Sequence, residues 1–331
     1  MTTAAGRADT GGAAGPVASG RARIPAARQF GTLMGLVGLS AVLWALTPHF
    51  LTVSNLLNIA QQTSINAIVA AGMTFVIISG GIDLSVGSIV AVSGVVLGTL
   101  LQAGQPAPVA VAIAVSVGAA CGLANGALVS WGGLPPFIVT LGMMSVARGA
   151  ALLFTEGRPV SGFDGGFRWM ATGTVAFIPV PIIAMAAVYL AAHLVLTRTI
   201  FGRYVYAIGG NEEATRLSGV PVRFHKTMVY GVSGVMSAAA ALLLTARLNS
   251  AQPIAGIMYE LDAIAAAVIG GTSLMGGTGT LPGTLVGALI MGVLRNGLNL
   301  LGVSSFVQQI VIGAVIVGAV LVDTIFKRRH G

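Results

Sequence analysis

The chain is 331 residues long, 55% hydrophobic and only 8% charged, with a formal net charge of +8 from 17 Lys and Arg against 9 Asp and Glu. A soluble domain carries about 25% charged residues, so the supply here is too small to coat a water-soluble globule; that excludes a cytosolic enzyme and indicates an integral membrane protein. The positive excess does not make a nucleic-acid interface, because it flanks apolar runs and forms no basic face with aromatic stacking residues.

In chain order, residues 1–28 are rich in Gly and Ala and show no periodicity, which predicts a disordered cytoplasmic tail ahead of a membrane domain over 29–331. No short apolar core with a small-residue cleavage site occurs in that tail, so a cleaved signal peptide is not expected. A bilayer core takes about 20 apolar residues per helical crossing. That ruler marks segments near 30–50, 56–79, 86–103, 107–130, 137–154, 173–196, 227–246, 260–275, 281–301 and 304–326. The expected fold is therefore an all-α polytopic membrane protein of about ten transmembrane helices, with 86–103 and 260–275 short enough to be half-helices or re-entrant segments.

Charge supplies the orientation. Basic residues cluster at Arg21, Arg23 and Arg28, at Arg198, Arg203, Arg216, Arg223 and Lys226, and at Lys327, Arg328 and Arg329. With both termini cytoplasmic, ten crossings place all three clusters inside, as the positive-inside rule expects. Eight crossings satisfy the same parity. The single cysteine, Cys121, lies in an apolar stretch, which leaves no intrachain disulfide and no multi-cysteine metal site.

Two glycine-rich interruptions, Gly80–Gly87 and Gly270–Gly277, each separate two apolar runs. Irregular backbone survives in lipid only where protein covers it or where it lines a wet cavity, and paired interruptions in two halves point to a transport site. Near the first, Asn58, Gln62 and Asn66 fall at i, i+4 and i+8 on one helical face. They read either as a path for a hydroxyl-rich solute or as hydrogen-bonding glue between helices. Asp83 is the only acidic residue between Asp9 and Glu156. A carboxylate at membrane depth is a functional candidate, yet Asp-x-Ser ahead of a helix is also ordinary capping chemistry, and Glu260 and Asp262 read the same way. Arg295, beside Asn296, either faces a wet path or snorkels to the interface. Arg148 and Glu156 form a further candidate pair, eight residues apart and so too far for a neighbouring-turn bond in one regular helix.

The loop 197–226 contains a complete short helix: Asn211 caps it, Glu212 and Glu213 complement its positive end, Gly219 terminates it and Pro221 blocks continuation. Two turns are not stable alone in water, so this helix must dock on the protein's own surface or into a partner. No energy-converting chemistry is visible. The only lysines, Lys226 and Lys327, lie outside any phosphate-binding loop, and no hydrolase or His-Glu-x-x-His signature occurs.

Gly72-Met73-Thr74 with Ile78-Ser79-Gly80-Gly81-Ile82-Asp83-Leu84-Ser85-Val86-Gly87-Ser88 strongly resembles the signature of the ribose-type (monosaccharide) ABC transporter permeases. Pro136–Met143, Gly209–Ala214 with Ser218–Val220, and Gly270–Leu274 with Gly276–Thr280 resemble three further blocks of that family, in order and with matching spacing from about residue 30 onward. The resemblance implies a non-enzymatic translocation subunit in a bacterial inner membrane, working as a homodimer or with a close paralogue. It also implies a periplasmic sugar-binding protein and a cytoplasmic ATPase, often with tandem nucleotide-binding domains, which binds the ATP and Mg; this chain itself is expected to hold no cofactor. By that resemblance Asn211, Glu212, Glu213, Ala214, Thr215, Arg216, Leu217, Ser218 and Gly219 form the ATPase-coupling helix. Thr215 departs from the family, many of whose members carry Ala there. The candidate path comprises Asn58, Gln62, Asn66, Gly80, Gly81, Asp83, Ser85, Gly270, Gly271 and Asn296. Related cargoes are branched-chain amino acids, nucleosides and a signalling sugar derivative; a carrier driven by protons or sodium is the rival from another class.

Overall fold

The computed structural model describes residues 26–328, so most of the expected tail, including Arg21 and Arg23, lies outside the described residues, as do Arg329 and the last two positions. The described chain is almost entirely helical: α1 (Ala26–Leu46), α2 (Val53–Ile78), α3 (Val86–Gln102), α4 (Ala107–Ser130), α5 (Pro136–Thr155), α6 (Gly165–Thr172), α7 (Val180–Arg198), α8 (Ile200–Gly210), α9 (Glu212–Leu217), α10 (Val222–Leu248), α11 (Tyr259–Ile269), α12 (Leu281–Leu300) and α13 (Ser305–Arg328). Six of these, α2, α4, α5, α7, α10 and α12, are long and apolar enough to cross a membrane. The protein is a multi-pass, all-helical membrane protein.

Each segment marked from the sequence coincides with a helix, and the two marked as short are short: α3 has 17 residues and α11 only 11. The bounds differ chiefly at three segments: α1 starts at Ala26, inside the expected tail, and ends at Leu46; α11 stops at Ile269, short of 275; and α7 starts late. The segment expected over 173–196 spends its first residues in a hairpin of β2 (Thr174–Val175) and β3 (Ile178–Pro179), and its helix starts only at Val180, with Pro181 in the first turn. Proline supplies no ladder N–H and is pre-set for a helix's first turn, so the change of structure falls where the prolines stand. A second two-residue ladder joins β1 (Val160–Ser161) to β4 (Ser250–Ala251), tying the connection after α5 to the one after α10 at the same end of the molecule.

α2 is the central helix. From Thr63 to Ile78 nearly every residue is buried, against α7, α10, α11 and α12. The most extensive contact between two helices is that of α4 with α10. Ala110, Ala114, Gly118, Gly122 and Gly126 recur every four residues on α4 and are all buried. This small-residue stripe lets two backbones approach as membrane helices do when packing, not hydrophobicity, drives association. A methyl on Gly122 would lie 2.2 Å from the Tyr230 carbonyl oxygen.

Candidate functional site

The polar face foreseen on α2 opens partly into a small cavity between α2, α11 and α12. Gln62, Thr63, Asn66, Asp262, Met291 and Arg295 contribute to its wall, and it has room for about 40 Å³. Asn66 stands twelve residues before the end of α2 and Arg295 fourteen after the start of α12. These are about 18 and 21 Å along the helices, well inside a hydrocarbon core of about 30 Å. Arg295 donates through Nη2 to both oxygens of Asp262, at 2.9 and 2.7 Å, and Asn66 Nδ2 lies 3.3 Å from Asp262 Oδ2. Asp262 therefore does not serve as the cap of α11 that its position suggested. The N-cap is Met258, and the carboxylate turns to the cation on α12. Arg295 faces the cavity. Asn58 and Gln62 are exposed on the outer side of the same face.

Asn296 is spent on packing. Its amide exchanges two hydrogen bonds with Asn55, at 3.0 and 2.9 Å, and fastens α12 to α2. Asp83 is fully buried away from the cavity. Its Oδ1 accepts from the backbone N–H and the hydroxyl of Ser85, its Oδ2 accepts from Ser233 of α10 at 2.9 Å, and Asn125 of α4 donates to Ser85 Oγ at 2.8 Å. Asp83 and Ser85 thus form a clasp that fixes the start of α3 against α4 and α10; the N-cap of α3 is Ser85 and no side chain caps that helix, so Asp83 makes a local turn onto Ser85 in place of the helix cap that Asp-x-Ser suggested. Arg148 finds a partner other than Glu156: it donates to the carbonyls of Pro253 and Ala255, both at 2.7 Å, and holds the segment leading into α11. Eight residues along one helix is too far for neighbouring-turn pairing, which is why the Glu156 pairing does not form.

The two glycine-rich interruptions, some 190 residues apart in sequence, meet in space. The Gly277 N–H donates to the Ile78 carbonyl, the last of α2, at 2.9 Å. Gly209, near the end of α8, is wedged between them: a Cβ there would sit 1.7 Å from the Ile78 oxygen and 2.6 Å from the Gly277 nitrogen. Gly80 and Gly276, both at positive φ, complete the contact, with a Cβ on Gly276 lying 3.0 Å from the Gly80 Cα. Gly81 lies against the Tyr230 hydroxyl instead. Gly270 and Gly271 end α11, where Gly270 packs on the Gly283 backbone of α12. Tyr206 adds a side-chain link, its hydroxyl donating to the Gly279 carbonyl at 2.7 Å. Burial pushes that phenol up to about 12, so it remains a donor at any physiological pH.

One residue beyond Gly210 the short helix α9 begins. Asn211 Oδ1 accepts from the Ala214 N–H at 2.9 Å, Ser218 is the C-cap and Gly219 takes a φ of +82°. Thr215 is the one buried residue of α9, its hydroxyl on the Asn211 carbonyl at 2.7 Å, while Lys226 of α10 pairs with Glu212 at 2.9 Å. These contacts seat the inner side. The outer side shows Glu213 paired with Arg216, and Leu217, which is 79% exposed. Thr215, where the sequence departs from the family pattern, faces inward. The root of the loop is packed by aromatics: His225 lies 5.8 Å from the Phe201 ring and 4.9 Å from that of Tyr204.

Residues 55–320 match the family model described as branched-chain amino acid transport system / permease component. The chain is 51% identical over 296 residues to the ribose import permease protein RbsC of Escherichia coli (strain K12), spanning 88% of this chain and 92% of that one. It is 48% identical over 298 residues to the ribose import permease protein RbsC of Bacillus subtilis (strain 168), spanning 89% and 92%. It is 41% identical over 302 residues to the D-allose transport system permease protein AlsC of Escherichia coli (strain K12), spanning 91% and 93%. No solved structure matches it.

Proposed function

Because the chain belongs to the branched-chain amino acid transport system / permease component family, we propose that it is the membrane-spanning permease subunit of an ATP-driven (ABC) importer for a monosaccharide such as ribose, xylose or another pentose or hexose. The near full-length similarity to permeases named for ribose and allose import supports the sugar cargo. The family description names branched-chain amino acids, and import of that cargo on the same architecture is the second reading.

The observation that carries the permease reading is the build of the 197–226 loop. α9 is capped and seated on its inner side, presents Leu217 outward, and springs from the glycine contact that joins both interruptions. In this reading α9 docks into a separate cytoplasmic ATPase, with tandem nucleotide-binding domains, that binds the ATP and Mg. Closure of that ATPase moves α9, α8 carries the displacement to the ends of α2 and α11, and the open side of the path changes. Gln62 and Arg295 expose polar groups at membrane depth, which lipid does not tolerate, and Asn58 continues that face one turn nearer the start of α2. That side is therefore assigned to the translocation path, closed by a second copy of the chain or a close paralogue. A periplasmic binding protein delivers the sugar, and the subunit lies in a bacterial inner membrane with ten crossings and both termini cytoplasmic.

Gentle purification from the native membrane, followed by mass spectrometry of what accompanies the chain, tests this. Stoichiometric recovery of an ABC ATPase is the expected result. Recovery of the chain alone, active for uptake in ATP-free vesicles under an ion gradient, overturns it.

A further inference from the structure

We propose that Thr63, Asn66, Asp262 and Arg295 form a mid-membrane station that holds a hydroxyl group of a neutral polyhydroxy solute, a role that rests on the permease reading above. The station is built around an ion pair that is already complete. Asp262, only 4% exposed, has both oxygens on Arg295 Nη2, so the cluster carries no net charge. What remains open around the pair is neutral hydrogen-bonding capacity. Thr63 Oγ1 and Asn66 Oδ1 are buried in the cavity wall and find no partner among the described residues. Thr63 itself is 3% exposed. Arg295 carries five N–H donors and spends only Nη2 on the carboxylate, while its side chain stays 39% exposed.

A hydroxyl is both donor and acceptor. It can donate to Thr63 Oγ1 or Asn66 Oδ1 while accepting from the Arg295 guanidinium, and the ion pair stays intact. The alternatives fit less well. An anion or cation would meet a cluster whose charge is already cancelled. A zwitterionic amino acid would have to split Asp262 from Arg295 to pair its ammonium and carboxylate, and taking the partner from a buried carboxylate is unfavourable. Size refines the assignment. The cavity, about 40 Å³, is far smaller than the roughly 300 Å³ or more of a site that encloses a whole small molecule, so this chain receives one hydroxyl edge, and the bulk of the solute lies outside, beyond Gln62.

Thr63→Val tests the station, because valine has nearly the shape of threonine and the hydroxyl it removes bonds to nothing among the described residues. The transporter is reconstituted with its ATPase and binding protein, and labelled ribose uptake is measured at saturating loaded binding protein, per folded molecule counted by gel filtration. The expected result is a fall of roughly five- to tenfold for Thr63→Val, the scale of one hydrogen bond, with recovery in Thr63→Ser. If Thr63→Val gives too little folded protein, Thr63→Ala is read in the same way. Wild-type uptake of ribose combined with undiminished uptake by the variant overturns the station and leaves the permease reading standing. Failure of the wild type to take up ribose, xylose or any other pentose or hexose, with ATP and both partners present, overturns the reading and the station together.

Discussion

Two buried carboxylates, Asp83 and Asp262, have opposite fates, and the difference lies in what surrounds them. Asp83 accepts three hydrogen bonds from Ser85 and Ser233 and is closed off as a clasp; Asp262 borders a cavity and is held by Arg295. Asp83→Ala strands those buried donors at a cost on the order of 1–3 kcal/mol, to be read as a lowered unfolding temperature in detergent. Gln62 behaves differently: it is exposed at the cavity mouth and makes no hydrogen bond among the described residues. Gln62→Ala should therefore keep its folded yield and lose transport per folded molecule; the converse pattern would make it a packing residue. The local half of this was partly legible in the sequence, since Asp83-x-Ser85 places the carboxylate next to Ser85, although it bonds Ser85 itself and does not cap α3. The long-range half was not. Ser233 lies 150 positions from Asp83 and Arg295 lies 33 from Asp262, and no periodicity joins such pairs. Asn296 misled for the same reason, because its partner Asn55 sits on another helix.

Among the elements, the apolar runs were readable because the hydrocarbon ruler acts on every crossing alike, and even the truncation of α11 showed in its length. The stripe of small residues on α4 was open to view at a spacing of four, yet composition alone hid it within a chain that carries 47 glycines. Gly122→Val pushes methyls into the Tyr230 backbone and should cost about 1–3 kcal/mol, measured as loss of monodisperse protein on gel filtration. The helices α6 and α8 and the hairpin β2–β3 were not anticipated, because short interfacial elements are fixed by tertiary contacts and prolines, not by hydropathy. α9 was anticipated, since its caps are local. Glu213→Lys reverses charge at its N-terminal end and breaks an exposed pair of little energetic weight. The expected outcome is an unchanged unfolding temperature together with ATP hydrolysis uncoupled from uptake; normal uptake would remove α9 from the docking role.

Across the whole molecule, the two glycine-rich interruptions meet against Gly209 of α8. The interruptions after α2 and after α11 were visible as a pair in the sequence, but that they touch, and that Gly209 stands between them, depends on how α8 folds back. The contact is backbone on backbone; in the proposed reading it is the route by which displacement of α9 reaches both interruptions. Tyr206→Phe removes only the hydroxyl bond to Gly279 and should lower the solute moved per ATP while leaving the assembled complex intact. The most direct test of the account is uptake of labelled ribose into proteoliposomes holding this chain, with and without its ATPase, its binding protein and internal ATP. The account predicts uptake only when all three are present. Uptake by the chain alone, driven by a proton or sodium gradient, would contradict it.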